Sequence, residues 1–144
     1  MNKLELAYNT NTPPETLTIL AQDGDSMVRW RVAQNPNTPP ETLTLLAQDE
    51  NENVRWNVAC NTNTPTETLT LLARDVEWFV RGGVADNYNT PLEILTILSQ
   101  DENEDVRWLA LEDMVNSSNK DETQQKLEEL ELLKQQARGK IFDL

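Results

Sequence analysis

Asp101, Asn103 and Asp105, with Glu112 eleven residues after Asp101, stand at the first, third, fifth and twelfth positions of a calcium-binding loop. Oxygen ligands at that spacing wrap a divalent cation only if the chain turns sharply between them. The glycine that makes this turn is Val106 here. In the repeat register described below, Val106 is a core valine of a helix, so the acids form at most a weak, exposed cation-attracting cluster and no metal site is assigned. Other chemistry has fewer candidates still. The sequence has no histidine and one cysteine, Cys60, and it lacks a glycine-rich phosphate loop or a Ser or Cys beside a base. Acid–base catalysis, nucleophilic catalysis and the common metal sites draw on such residues. The reading is a protein that is not an enzyme and carries no cofactor.

Two residue types recur in a way that suggests recognition. Arginine returns at Arg29, Arg55, Arg81 and Arg107, and tryptophan follows it at Trp30, Trp56 and Trp108. A row of guanidinium groups can grip a partner's carboxylates through paired hydrogen bonds. The favoured expectation is that each arginine instead pairs with an acid of its own or the adjacent unit and staples the stack, since only three other bases lie among the repeats. The tryptophans have two readings of equal standing, anchors of a recognition surface or rungs of a ladder between units. Unit three departs from the pattern. Gly82 stands where tryptophan is expected, Gly83 follows, and Trp78 and Phe79 come one turn earlier. Two glycines inside a helix cost on the order of 2 kcal/mol relative to alanine. They either open a notch between Trp56 and Trp108 or are covered by Trp78, which shares a helix face with Gly82; covering is the expected outcome.

These residues must be positioned by a repeated element. Thr12-Pro13-Pro14-Glu15, Thr38-Pro39-Pro40-Glu41, Thr64-Pro65-Thr66-Glu67 and Thr90-Pro91-Leu92-Glu93 are spaced by 26 residues. Such a period signals stacked units, none able to bury its apolar face alone. Thr38 suits an N-cap, Pro39 the first helical position and Glu41 the reciprocal capping acid, which predicts a helix from Pro39. Its apolar stripe is Leu43, Leu45, Leu46 and Ala47, repeated as Leu17, Ile19, Leu20, Ala21 and as Leu69, Leu71, Leu72, Ala73. Asp23, Asp49, Asp75 and Asp101 are expected to end this helix and cap the next. The second helix buries Val28 and Val32, Val54 and Val58, Val80 and Val84, and Val106 and Ala110, at i, i+4 spacing. Asn35-Pro36-Asn37 and its counterparts turn the chain back. No segment alternates with period two, so no sheet is expected.

In combination, the leucine stripe, Asp, Val-Arg, Val-Ala, Asn and Thr-Pro resemble the leucine-rich repeat variant family over residues 3 to 112. The resemblance implies an all-helical, superhelical solenoid. The fold expected is all-α, a right-handed α-solenoid of four two-helix repeats at 12–37, 38–63, 64–89 and 90–115, with an N-terminal half-repeat at 1–11 and a C-terminal capping helix at 116–144. Some members of the family carry a cysteine cluster around an iron–sulfur centre. Cys60 alone does not supply one. In the tail, Asp121 and Glu122 suit a helix start, Lys134, Arg138 and Lys140 its end, and Leu127, Leu130, Leu133, Ala137 and Ile141 its apolar stripe. A capping role is preferred to coiled-coil pairing, which needs more heptads, and a monomer is expected.

The net charge is −13 among 144 residues. Residues 1 to 115 hold 19 acids and 7 bases, so the repeats carry this field. It repels phosphate backbones and argues against nucleic-acid binding. No apolar run approaches the roughly 20 residues that span a bilayer, the first residues do not resemble a secretory signal, and one cysteine suits a cytoplasmic, bacterial-type setting. The function expected is a protein–protein interaction scaffold that holds a basic or amphipathic polypeptide along an acidic groove with Trp30, Trp56, Trp78, Gly82, Gly83 and Trp108. The alternatives are a small helical-repeat lyase or chromophore helper with its pocket at Trp78, Gly82 and Gly83, and an acidic inhibitor that mimics nucleic acid.

Overall fold

The Thr-Pro step does more than start a helix. In the computed structural model, which describes residues 1–117 and 124–142 with the side chains of 124–127 and 139–142 set aside, the first helix of each unit begins one residue later than expected. These helices are α2 (Pro14–Leu20), α4 (Pro40–Leu46), α6 (Thr66–Leu72) and α8 (Leu92–Leu98). Pro13, Pro39, Pro65 and Pro91 take the cap position in extended conformation, and no side chain caps any of the four. Thr38 therefore does not serve as N-cap. Its buried hydroxyl turns back and donates to the Val32 carbonyl at 2.6 Å, as Thr12, Thr64 and Thr90 do to Leu6, Val58 and Val84. The physical reason is competition for the hydroxyl. A helix end leaves carbonyls unpaired, and the ends of the preceding helices lie within reach.

The second helices are α3 (Ser26–Gln34), α5 (Glu52–Cys60), α7 (Trp78–Asp86) and α9 (Glu104–Ser117), and α1 (Lys3–Tyr8) occupies the equivalent place before unit one. They are capped two residues after the expected aspartate. Asp25 accepts from Met27 N–H, Asn51 from Asn53 and Val54, and Asn103 from Asp105 and Val106. Glu77 makes no side-chain cap. Asp23, Asp49, Asp75 and Asp101 instead close the connecting turn, each accepting the backbone N–H two residues on at 2.9–3.0 Å. Both helices of a unit are α-helical. The last turns tighten: Gln22 and Asp23 reach back three residues to Ile19 and Leu20, and Asn35, Asn61 and Asn87 reach back three to Val32, Val58 and Val84.

The helices form two layers. α1, α3, α5, α7 and α9 lie side by side, and α2, α4, α6 and α8 lean on them. Between the layers Leu17, Leu43, Leu69, Leu95, Val32, Val54, Val58 and Val80 are fully buried. Each such side chain contributes about 1.5–3 kcal/mol, more than any one cap. One expectation fails here. Ile19, Leu45, Leu71 and Ile97 are exposed at 72%, 54%, 52% and 58%. They sit two residues from Leu17, Leu43, Leu69 and Leu95, about 200° around the helix, so a stripe read from composition was wider than the buried face. Beside them Thr18 meets Thr42, and Thr44 meets Thr68, hydroxyl to hydroxyl at 2.9 Å.

Unit four ends differently. α9 runs on through Ser117, past the place where α3, α5 and α7 stop, because no Asn-x-Asn-Thr-Pro follows to turn the chain. α10 (Gln124–Phe142) lies against α9, burying Leu130 and half-burying Leu133 and Ala137. Asp121, Glu122 and the side chains of Leu127, Lys140 and Ile141 fall outside the described residues.

Candidate binding face of the second helices

With Val28 and Val32 turned inward, α3 presents Met27, Trp30, Arg31 and Gln34 outward. The same strip on α5 carries Asn53 and Trp56. Between them Met27, Trp30, Asn51, Asn53 and Trp56 line an open cleft of about 300 Å³. The tryptophans differ in how they are occupied. Trp30 is half-buried against the core and has the Arg31 guanidinium 4.5 Å above its ring, with Tyr8 on the same cation at 5.1 Å. Trp108, 39% exposed, has Lys134 at 5.0 Å and Arg138 at 4.8 Å from its ring, both from α10. Trp56, 39% exposed, has no cation over it among the described residues. Cations placed over indole gain from its negative face. No tryptophan stacks on another across units among the described residues, so these side chains do not form a ring-on-ring ladder.

Unit three resolves its glycines without Trp78. Gly82 and Gly83 are both buried. A Cβ on Gly82 would meet Leu109 Cδ1 at 3.5 Å, whereas one on Gly83 would stand 3.0 Å from Ala59 Cβ and 3.1 Å from both Cys60 Sγ and Trp56 Cδ1. Gly83 thus lets α7 settle onto α5, and Leu109 of α9 covers Gly82. Trp78 opens α7 and packs edge-on to Phe79, rings 6.0 Å apart at 88°. Side chains on a helix lean toward its N-terminus, which carries Trp78 away from Gly82. No open notch remains at this backbone.

The arginines are bound within the stack. Arg29, Arg55 and Arg81 each grip an aspartate of the following unit with two hydrogen bonds, Nε to Oδ2 at 2.6–2.8 Å and Nη2 to Oδ1 at 2.9–3.2 Å. The partners are Asp49, Asp75 and Asp101. In each case Nη1 donates back to carbonyls of its own unit. Burial works against the Asp101 carboxylate, yet the bonds from Arg81 and from Asn103 N–H outweigh it and hold that carboxyl below its ordinary range. With these three bases paired, the outward strip exposes Glu52, Asp86, Asp105 and Glu112, and its remaining cations are Arg31 at Trp30 and Lys134 and Arg138 at Trp108. Asp101, Asn103 and Asp105 are occupied by a guanidinium, a helix cap and a helix surface respectively, so they do not converge. Among the described residues no group of three or more His, Cys, Asp or Glu gathers to hold a metal.

Comparison with known proteins agrees with this architecture. A family model described as leucine rich repeat variant matches residues 28–51. A solved structure, described as a leucine-rich repeat variant with a novel repetitive protein structural motif, is 30% identical and superposes with a TM-score of 0.61 over 90% of this chain. In repeat and fold the chain is similar to the leucine-rich repeat variant family. It spans 52% of the length of that solved relative. No curated protein matches it. Among the described residues, no helix is long and apolar enough to cross a membrane.

Three features of the chain were not read from its sequence. Asn35, Asn61 and Asn87 are buried and bind the units together: Asn61 Nδ2 donates to Ala33 O at 2.8 Å and Asn35 O at 3.1 Å, and its neighbours repeat the pattern. Their recurrence at 26-residue spacing was the available signal, since a turn alone tolerates several residues. Asp113 falls in the same register, where a carboxylate cannot donate. Its Oδ2 is buried without a partner, and burial together with the Asp86 charge raises its pKa. Cys60 lies on the surface, but its sulfur is crowded by the backbone of Gly83; burial and Asp86 push the thiol up to about 11, which keeps it protonated and unreactive.

Proposed function

We propose that the protein is a non-catalytic interaction scaffold that holds a basic or amphipathic polypeptide along the outward face of α3, α5, α7 and α9. The observation that carries this reading is the cleft of about 300 Å³ lined by Met27, Trp30 and Trp56, with Asn51 and Asn53 beside them. Half-exposed aromatics of this kind are common centres of binding energy. Around them the exposed carboxylates attract bases and set the salt dependence, Arg29, Arg55 and Arg81 are tied up in the stack, and the bases left on the face lie over Trp30 and Trp108. A repeat array suits such a role because neighbouring units extend one surface. The same reading places a monomer in the cytoplasm, where a lone protonated cysteine is at home. The lyase or chromophore alternative loses its opening, since Gly82 and Gly83 are buried.

The test is a titration with a Lys/Leu-rich amphipathic helical peptide, read by Trp fluorescence and calorimetry. Binding should weaken with salt, and Trp56→Ala should weaken it by more than about tenfold, the equivalent of about 1.4 kcal/mol, while the thermal transition stays cooperative. Equal binding by Trp56→Ala, or a substitution that only unfolds the protein, would remove the cleft from consideration.

A further inference from the structure

Three open clefts adjoin at the α1 end of the tryptophan face. The cleft of Met27, Trp30 and Trp56 shares Met27 with a second, of about 350 Å³, which Leu4, Glu5, Tyr8 and Arg31 also line. Tyr8 and Arg31 in turn line a third, of about 400 Å³, together with Gln34 and Pro36. Arg31 thus stands where the second cleft passes into the third, half-buried and open to both. Its guanidinium carbon lies 5.1 Å from the centre of the Tyr8 ring and 4.5 Å from that of Trp30, and Nη1 donates to Gln34 Oε1 at 3.2 Å. A guanidinium stacked on rings keeps its in-plane N–H groups for a planar acceptor. Arg29, Arg55 and Arg81 give theirs to aspartates, whereas Arg31 pairs with no carboxylate among the described residues. Glu5, the acid of the second cleft, is taken up in the cap of α1, where it accepts Asn2 N–H at 3.0 Å.

We propose that Arg31 receives the C-terminal carboxylate of the polypeptide held on this face, so that the bound chain ends in the third cleft and runs back over Met27 toward Trp56. The inference rests on the reading of the face as a site for a basic or amphipathic polypeptide, and it adds a direction to that reading. Two observations select the terminal carboxylate. A basic chain laid along the clefts brings like charge against Arg31 unless an anion meets it there, and the C-terminus is the one carboxylate that every such chain carries. The third cleft also has the size and lining for a whole terminal residue: about 400 Å³, with the exposed Tyr8 ring and Pro36 for an apolar side chain, and the Tyr8 hydroxyl and the Gln34 amide as donors beside the guanidinium. Forked N–H donors on a carboxylate form a charge-assisted pair, the stronger kind of hydrogen bond.

The test is calorimetric titration of the full chain with two N-acetylated Lys/Leu-rich amphipathic peptides of one sequence, one ending in a free carboxylate and the other in an amide. General electrostatics favours the amide, because the free acid lowers the peptide's positive charge against a protein of net charge −13 and opposes the dipole of a helical peptide. The proposal requires the reverse order, with the free acid bound about tenfold more tightly. Arg31→Gln should bring acid and amide to equal affinity, whereas Arg74→Gln, which removes the same charge at an exposed position outside the three clefts, should keep the difference. The proposal is overturned if the parent binds the two peptides equally or prefers the amide, if the acid keeps its advantage in Arg31→Gln, or if Arg74→Gln abolishes it as well. In each of those cases binding of both peptides that depends on Trp56 leaves the scaffold reading standing. Binding of neither peptide overturns both.

Discussion

Replacing Asn61 by alanine separates a turn residue from a staple. In a turn, Asn61 contributes only its Oδ1, which accepts Asn63 N–H at 2.9 Å, and its loss costs about 1 kcal/mol. In the folded stack the same side chain also donates to Ala33 O and Asn35 O in the preceding unit, and Asn61 is 7% exposed. Three bonds at about 1 kcal/mol each give roughly 3 kcal/mol as an upper figure, since Asn35 O still accepts Thr38 N–H at 3.1 Å. That is a large share of a typical stability of roughly 5–15 kcal/mol. Asn9 provides the internal control: its Oδ1 accepts Asn11 N–H from its own turn, and its Nδ2 donates to the Met1 sulfur at 3.8 Å in place of the two carbonyls that Asn61 reaches. Urea unfolding followed by helical circular dichroism should show a midpoint drop for Asn61→Ala about three times that for Asn9→Ala, with unchanged slope. Equal, small losses for both variants would refute the staple and return these residues to turn formation alone.

Three further outcomes follow from the packing. Gly83→Ala forces a methyl within 3.0 Å of Ala59 Cβ and should lower stability by about 1–3 kcal/mol, whereas Gly82→Ala meets Leu109 at an ordinary 3.5 Å and should raise it by up to about 1 kcal/mol through helix propensity; thermal melts of the two variants must move in opposite directions. Thr38→Ala removes the bond to Val32 O and should cost about 1 kcal/mol, with Thr38→Ser restoring most of it in the same denaturation assay. Asp113 has its pKa raised by burial and by Asp86, so its ionised form favours the unfolded chain. That penalty is absent below the unfolded value of about 4, grows as pH rises towards the folded value and is complete above it. Asp113→Asn should therefore be more stable than the parent at pH 7 and no more stable at pH 3 in urea titrations; a gain independent of pH would contradict the carboxylate's part.

The repeat, its two helices, the valine pairs and the leucines at Leu17, Leu43, Leu69 and Leu95 were legible from the sequence, because helical periodicity and a 26-residue spacing are local properties of the chain. The pairing of the arginines with acids was also legible in kind, since acids outnumber bases among the repeats and buried guanidinium needs a counter-charge. What lay beyond reach was every choice between two partners at similar sequence distance. Thr38 had helix amides ahead of it and a helix carbonyl behind it, and only the approach of α3's end decided in favour of the carbonyl. Trp30, Trp56 and Trp108 share one register, yet Trp30 has Arg31 over its ring, Trp108 has cations of α10, and Trp56, exposed to the same 39% as Trp108, has neither among the described residues. Gly83 carries no side chain with a pattern to read; its reason is the closeness of α5. Local sequence sets which groups need partners, whereas the stacking of one unit on the next sets which partners arrive, and Arg107 Nε, past the last aspartate of the series, has none among the described residues.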